Sequence, residues 1–208
     1  MIKKPAQIGL LIIYTFFCFL MLKITLQYVP INTDVAFLRI KQDFIHLQYY
    51  KIAFFVHVFS AIISLLAGYT QFSKKIRTNY PKIHRRLGWI YILSVLLFAA
   101  PSGFIIGIFA NGGISSQIAF CLLSTLWILF TVKALLTAKK KQFSEHRKWM
   151  IRSFALTLSA ITLRAWKVSL VYFFHPKPMD IYQVVAWLGW VLNLIIAEII
   201  IFKSKSTR

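Results

Sequence analysis

Acid is what this chain has least of. Five Asp and Glu stand among 208 residues, against 25 Lys and Arg, and charged residues of both signs reach only 14%. A soluble domain of this length carries nearer a quarter. Metal-assisted phosphoryl transfer needs clustered acidic ligands, and these five are scattered. No pair of carboxylates falls inside an apolar run. Cysteine is as scarce: Cys18 and Cys121 each sit in an apolar stretch, form no CxxC, and support neither a disulfide framework nor a thiolate metal site. HExxH, GxSxG and P-loop sequences are missing, which removes the protease, lipase and ATPase readings they carry. Whether the chain is an enzyme stays open.

What the chain has is oil. Hydrophobic residues make up 59% and aromatics 16%, with a mean hydropathy of +0.69. This defines an integral membrane protein and leaves no room for a second soluble domain, so residues 1–208 read as one membrane domain. A helix needs about 20 mostly apolar residues to cross a bilayer. Six stretches qualify: 7–29, 50–73, 87–110, 116–137, 149–173 and 181–202. The expected fold class is all-α, a polytopic bundle of six transmembrane helices. The first stretch follows Lys3 and Lys4 but exceeds a signal-peptide core, and it reads as a retained helix.

The net charge of +20 would suit nucleic acid if the bases shared a soluble face. They do not; they sit between apolar runs, so no nucleic-acid partner is expected. Lys74, Lys75, Arg77, Lys82, Arg85 and Arg86 fill one connection, and Lys139, Lys140, Lys141, Arg147 and Lys148 another. Lys203, Lys205 and Arg208 close the chain, whereas the opposite connections, 110–117 and 175–180, carry almost no charge. The bias places both termini and both basic loops in the cytoplasm, against the lipid bilayer's anionic headgroups. On the other side, Phe37, Ile40, Phe44 and Leu47 recur at helical spacing. They predict a short amphipathic helix in the outer interface, placed to lid a cavity.

Polar groups inside a membrane must be satisfied by the bundle, so they mark candidate sites. His57, Ser60, Ser64, Gly68 and Gln71 share one face of the second span, with Phe54 and Phe55 expected nearer the lipid. His146, Met150, Ser153, Thr157 and Arg164 share a face of the fifth. His57, Ser102 and Arg164 each lie roughly 10 Å below the outer surface at 1.5 Å per residue. No acid of the spans shares that level, since Glu198 is near the inner end. Arg164 therefore either meets carbonyls, water or an anionic small-molecule ligand, or snorkels to the headgroups. At the inner edge "HRRLGW" (His84–Trp89) and "HRKWMI" (His146–Ile151) open two spans alike. They set two histidines at equal depth among Arg85, Arg86, Arg147 and Arg152, with Gln71 beside them.

The order HxxxxxxLxxGxxQF, HRRLGxxY, EHRKWMIRSxALTxxAxTLR within residues 50–173 resembles the bacterial membrane-protein family known as domain of unknown function 2306. The resemblance implies a multi-helix architecture, residence in the bacterial inner membrane, and attention to His57, Gln71, His84, Arg85, His146, Arg152 and Arg164. It implies no activity. Three functions remain open. One is a redox protein holding haem b between His84 and His146 as axial ligands, with the arginines on the propionates. Another is binding or transport of a small anion, quinone or lipid headgroup in an outer pocket with His57, Ser102 and Arg164, with Gln71, Arg85 and Arg152 at the inner edge as further candidate ligand contacts. The third is a structural or regulatory membrane subunit.

Overall fold

Hydrocarbon offers no partner to a backbone N–H or C=O, so an apolar run of spanning length closes its own hydrogen bonds and becomes a helix. The computed structural model describes residues 4–68, 70–175 and 177–206, and among them all regular structure is helical. Lys3 and Arg208, named in the sequence reading above, lie outside the described residues. The elements are α1 (Lys4–Leu26), a 3-10 segment (Ala36–Lys41), α2 (Gln42–Ile45), α3 (Gln48–Gly68), α4 (Lys74–Asn79) and α5 (Pro81–Leu93). A π-helical stretch (Ser94–Ala99) then leads into α6 (Ala100–Ile108), α7 (Gly113–Lys139), α8 (Phe143–Thr157), α9 (Ser159–Phe174) and α10 (Pro178–Ser206).

Five helical stretches are long and apolar enough to span: Ile8–Leu26, Gln48–Gly68, Pro81–Ile108, Gly113–Lys139 and Met179–Ser204. The sixth is broken: α8 and α9 meet at 41° and complete a sixth span when taken together. No proline or glycine stands at the break. Asn193 of α10 holds it instead, its amide donating to the carbonyl of Ala155 at 3.0 Å, to Thr162 Oγ1 at 3.0 Å and to the carbonyl of Gly189 at 3.1 Å. Polar side chains of a neighbouring helix are a recognised way to satisfy backbone groups at a kink in the membrane. The straight-helix arithmetic that aligned His146 with Arg164 therefore does not hold across Leu158.

The third span has an irregularity with a visible cause. Pro101 has no N–H to give to the preceding turn, and the backbone widens just before it, with the Ala100 N–H reaching the Val95 carbonyl. Such π-turns turn carbonyls toward side-chain donors and recur at functional sites.

Close approach of α3 and α8 depends on Gly68, where an added Cβ would stand 2.1 Å from Phe154 Cε2. The central core gathers Tyr91, Val95, Ala99, Trp127, Ala134, Met150, Leu156 and Trp190. A second cluster, Tyr28, Leu38, Tyr50, Phe54 and Phe55, sits beneath the outer segment. Here two expectations need correcting. The 37–47 segment forms a 3-10 segment and a four-residue helix, not one amphipathic helix. Phe54 and Phe55 are buried, because Tyr28 and Phe37 close over them: Phe37 stacks on Phe54 and Tyr28 meets both rings edge-on. A face that would meet lipid in a bare helix is covered by the loop.

Candidate ligand-binding site

The π-turn shapes the outer half. His57 Nδ1 lies 2.8 Å from the Ala99 carbonyl. A carbonyl only accepts, so Nδ1 carries the proton and, in the neutral ring, Nε2 keeps a free lone pair. Ser102 Oγ donates to the Phe98 carbonyl at 2.5 Å and to the Ala99 carbonyl at 3.2 Å, so Ser102 and His57 share an acceptor. Gly103 lets the ring in: a Cβ there would stand 3.0 Å from His57 Cε1 and Nδ1.

Arg164 lies on α9 beyond the break. Its one described hydrogen bond runs from a terminal guanidinium nitrogen to the Ala160 carbonyl at 2.6 Å, and among the described residues it has no ion pair. It acts electrostatically on both His57 and Tyr28. The residue is exposed at the protein surface, although protein atoms crowd round its guanidinium. Tyr28 sits just past the end of α1. Its hydroxyl accepts the Phe37 N–H at 3.2 Å. Burial pushes the phenol up, while the Phe37 hydrogen bond and the Arg164 charge pull it down.

The 36–45 segment is pinned by a buried amine. Lys41 is 2% exposed and donates to the Phe109 carbonyl and to Asn111 Oδ1. Its ammonium also lies over the rings of Phe44 and Phe37, at 5.2 and 5.9 Å. Burial lowers its pKa to about 8, with Asp43 opposing the shift. An open apolar groove of about 310 Å³ runs between α3 and α6, lined by Ile52, Ala53, Val56, Leu97, Phe98 and Ser102 among others.

At the centre, Tyr91, Thr131, Ser153 and Thr157 join hydroxyl to hydroxyl, with Tyr91–Ser153, Tyr91–Thr157 and Thr131–Ser153 each at 2.7 Å. Trp127 Nε1 donates to the Tyr91 hydroxyl at 3.4 Å.

The end of the bundle that carries the basic connections divides the remaining expected site residues. Arg152 is taken: Nε meets Glu198 Oε1 at 2.5 Å, its second contact reaches Oε2 at 2.8 Å, and Trp149 stacks against it at 4.6 Å. Gln71 lies in the turn past the end of α3 rather than on the helix, buried, with its amide donating weakly to the His84 carbonyl at 3.4 Å. His146 Nδ1 lies 2.8 Å from the Ala134 carbonyl, which leaves its Nε2 free. His84 Nδ1 is buried with no hydrogen-bond partner. His84 is within electrostatic reach of His146, Arg77 and Arg85, while Arg85 itself is exposed.

Sequence reasoning missed Tyr28, Lys41, Trp127, Thr131 and the Asn193–Thr162 pair as participants. Thr131 had a readable signal, a hydroxyl in the middle of an apolar span. Lys41 had none, because nothing local distinguishes a lysine that will be buried by a distant turn.

Fold and composition together define a multi-pass α-helical membrane protein. The chain belongs to the family described as Predicted membrane protein (DUF2306), whose model matches residues 54–201 and so takes in α10 as well as the motifs before it. No curated protein and no solved structure matches the chain.

Proposed function

We propose that this protein binds or transports a small anionic ligand in the outer recess between α1, α3 and α9, with Arg164 as the charge and His57 Nε2 as the proton-accepting partner. The observation that carries the reading is Arg164: a guanidinium with five donors, one carbonyl contact and no carboxylate. An arginine left like this in hydrocarbon costs from about 2.5 kcal/mol upward, and an anion offsets that cost. The broken α8–α9 span supports it, since discontinuous helices border the sites of many carriers. In this reading both termini and the basic loops are cytoplasmic, meeting anionic headgroups of the bacterial inner membrane, and the recess opens to the outside. Reporter fusions at Gly112 should then read outside and fusions at Lys140 inside.

The deciding experiment uses purified protein in nanodiscs, titrated with carboxylates, phosphate and sulfonates while unfolding is followed. At least one anion should raise the midpoint, and Arg164→Ala should abolish the rise. Arg164→Lys should lose nearly as much if the anion is held bidentately, because lysine lacks the planar fork. No anion effect on the wild type, or an undiminished one in Arg164→Ala, would refute the reading.

A second reading is favoured by a different observation, the partnerless Nδ1 of His84 near a His146 whose Nε2 is free. Two such nitrogens fit the axial needs of b-type haem, which would supply one-electron redox chemistry. The Ala134 carbonyl orients the His146 ring, and Arg77 and Arg85, which act on His84, are the cations that would pair the propionates. Protein purified from haem-replete cells should show a Soret band, lost in His84→Ala and in His146→Ala. A colourless wild type would end this reading and leave the first intact.

A further inference from the structure

Arg164 is exposed at a depth where the surroundings of a spanning helix are hydrocarbon. It stands ten residues before Phe174, the last of α9, about 15 Å along the helix at 1.5 Å per residue. A hydrocarbon core is about 30 Å thick. A cation at such depth ordinarily snorkels, its long side chain running along the helix to the nearer headgroups. Arg164 runs the other way. Its guanidinium donates back to the Ala160 carbonyl, four residues toward the middle of the α8–α9 span. The lean of every helical Cα–Cβ bond toward the N-terminus favours that direction.

The course of α9 is what exposes it. Ile161 is still buried, in the cluster of Cys18, Met21, Ile62 and Leu65. Beyond Ile161 no described residue of α9 is buried. This half leans on α10, with Leu163 close against Gly189 and Lys167 donating to the Tyr182 hydroxyl at 3.3 Å. The stripe that continues the Arg164 face toward the helix end is Val168 and Val171, 70% and 43% exposed. Such a stripe is a path for hydrocarbon and a barrier to a hydrated ion. A free anion has to shed its water against two valines before it meets the guanidinium. An anion carried on a hydrocarbon chain already lies in the bilayer.

We infer that the ligand of Arg164 is a long-chain carboxylate, a fatty-acid anion taken sideways from the bilayer, with its two oxygens on the guanidinium and its chain in hydrocarbon. The inference rests on the anion reading above and narrows it. Charge selects an anion, because among the described residues Arg164 has no ion pair. The planar fork of the guanidinium selects a carboxylate or a phosphate, which it can hold through two parallel bonds. Depth decides between the two. A phospholipid keeps its phosphate in the headgroup layer, outside the hydrocarbon, because the rest of a polar head is attached to it. A fatty carboxylate has no polar mass beyond its two oxygens, so it can sink to a guanidinium that reaches inward.

The test is equilibrium binding of radiolabelled carboxylates to the full chain in phosphatidylcholine nanodiscs, with the signal of protein-free discs subtracted. On the scale of free aqueous concentration, affinity should tighten about fourfold for each added methylene, so dodecanoate should bind on the order of a hundredfold more tightly than octanoate. Arg164→Ala should lose the binding. Val168→Glu should lose it too, because a carboxylate four residues on pairs the guanidinium from its own helix. One variant removes the charge and the other occupies it, which guards against either failing to insert. Methyl dodecanoate, the chain without the charge, should give no signal above empty discs. Dioctanoyl phosphatidylglycerol added as a competitor should not displace dodecanoate. Equal affinities for acetate and dodecanoate, both lost in Arg164→Ala, overturn this inference and leave the anion reading standing. Dodecanoate binding that survives in folded Arg164→Ala protein overturns the inference and places the chain elsewhere, as does equal binding of the methyl ester. Displacement by the phospholipid overturns it in favour of a lipid phosphate, and no dodecanoate binding by the wild type overturns it outright.

Discussion

Arg152 and Arg164 lie twelve positions apart in the same broken span, and the bundle treats them oppositely. Arg152 meets Glu198 through two parallel bonds and stacks on Trp149. Its charge is cancelled where it stands. Arg164 has a carbonyl of its own helix and the neighbourhood of a histidine and a phenol. With only five acids to distribute, placing one against Arg152 and none against Arg164 separates a cation that is electrically closed from one that is open. Closed pairs hold helices together; in the reading proposed above, the open cation is where the ligand binds.

The sharpest way to break this comparison is to open the closed arginine. Glu198→Ala leaves Arg152 without its two charge-assisted bonds, and such bonds are worth about 1.5–3 kcal/mol each where shielded; the half-exposed Glu198 side chain puts the net loss near the lower figure. Thermal unfolding in detergent should show a clear drop in midpoint, while anion binding at the outer recess is unchanged. An unchanged midpoint would mean that the pair contributes nothing and that the two arginines are alike after all.

A smaller change tests the open side. Gly103→Ala places a methyl 3.0 Å from the His57 ring, which has to yield by a few tenths of an ångström. Overpacking of this size costs about 1 kcal/mol, and anion affinity should fall several-fold if His57 is part of the recess. Calorimetric titration reads it; an affinity equal to wild type would detach His57 from Arg164.

The smallest expected effect concerns the cover. Lys41 has a pKa lowered to about 8 against an ordinary value of 10.5, so between those values the unfolded chain binds more protons than the folded one. Stability therefore rises with pH across that window, and the penalty of the buried charge is present in full below it. Lys41→Met should flatten this part of the profile while leaving other titrations alone. Melting points of the two proteins from pH 7.5 to 10.5 should converge or cross as pH rises; parallel curves would mean that the amine is not buried in its charged form.

Much of this architecture was legible before any coordinates. Hydropathy located the spans because length and oiliness are local properties. His57 and His146 stood out as polar rings on bundle-facing helix positions, and each ring lies against a carbonyl of a neighbouring helix. The features that escaped are those decided by a distant partner. The bend at Leu158 has no proline or glycine beneath it and depends on Asn193 of another helix. Phe54 and Phe55 looked lipid-facing because a helical wheel does not include the loop that folds over them. Gln71 was placed on a helix that stops at Gly68, although the motif spacing that drew attention to it survives in its contact with the His84 carbonyl. Arg152 and Glu198 were both read as inner-edge residues, yet their pairing needed the relative placement of α8 and α10.

The way the α8–α9 bend is held has a mechanical consequence. A kink made by proline is covalent and persists in every state the chain visits. This one is kept by rotatable side chains, the Asn193 amide on Ala155, Thr162 and Gly189 and the Thr162 hydroxyl on the Gly189 carbonyl at 2.5 Å. Both arms of the span are thus fastened to α10, α8 through Arg152 and Glu198 and α9 through Thr162 and Asn193, and the bend is set by hydrogen bonds that can be remade.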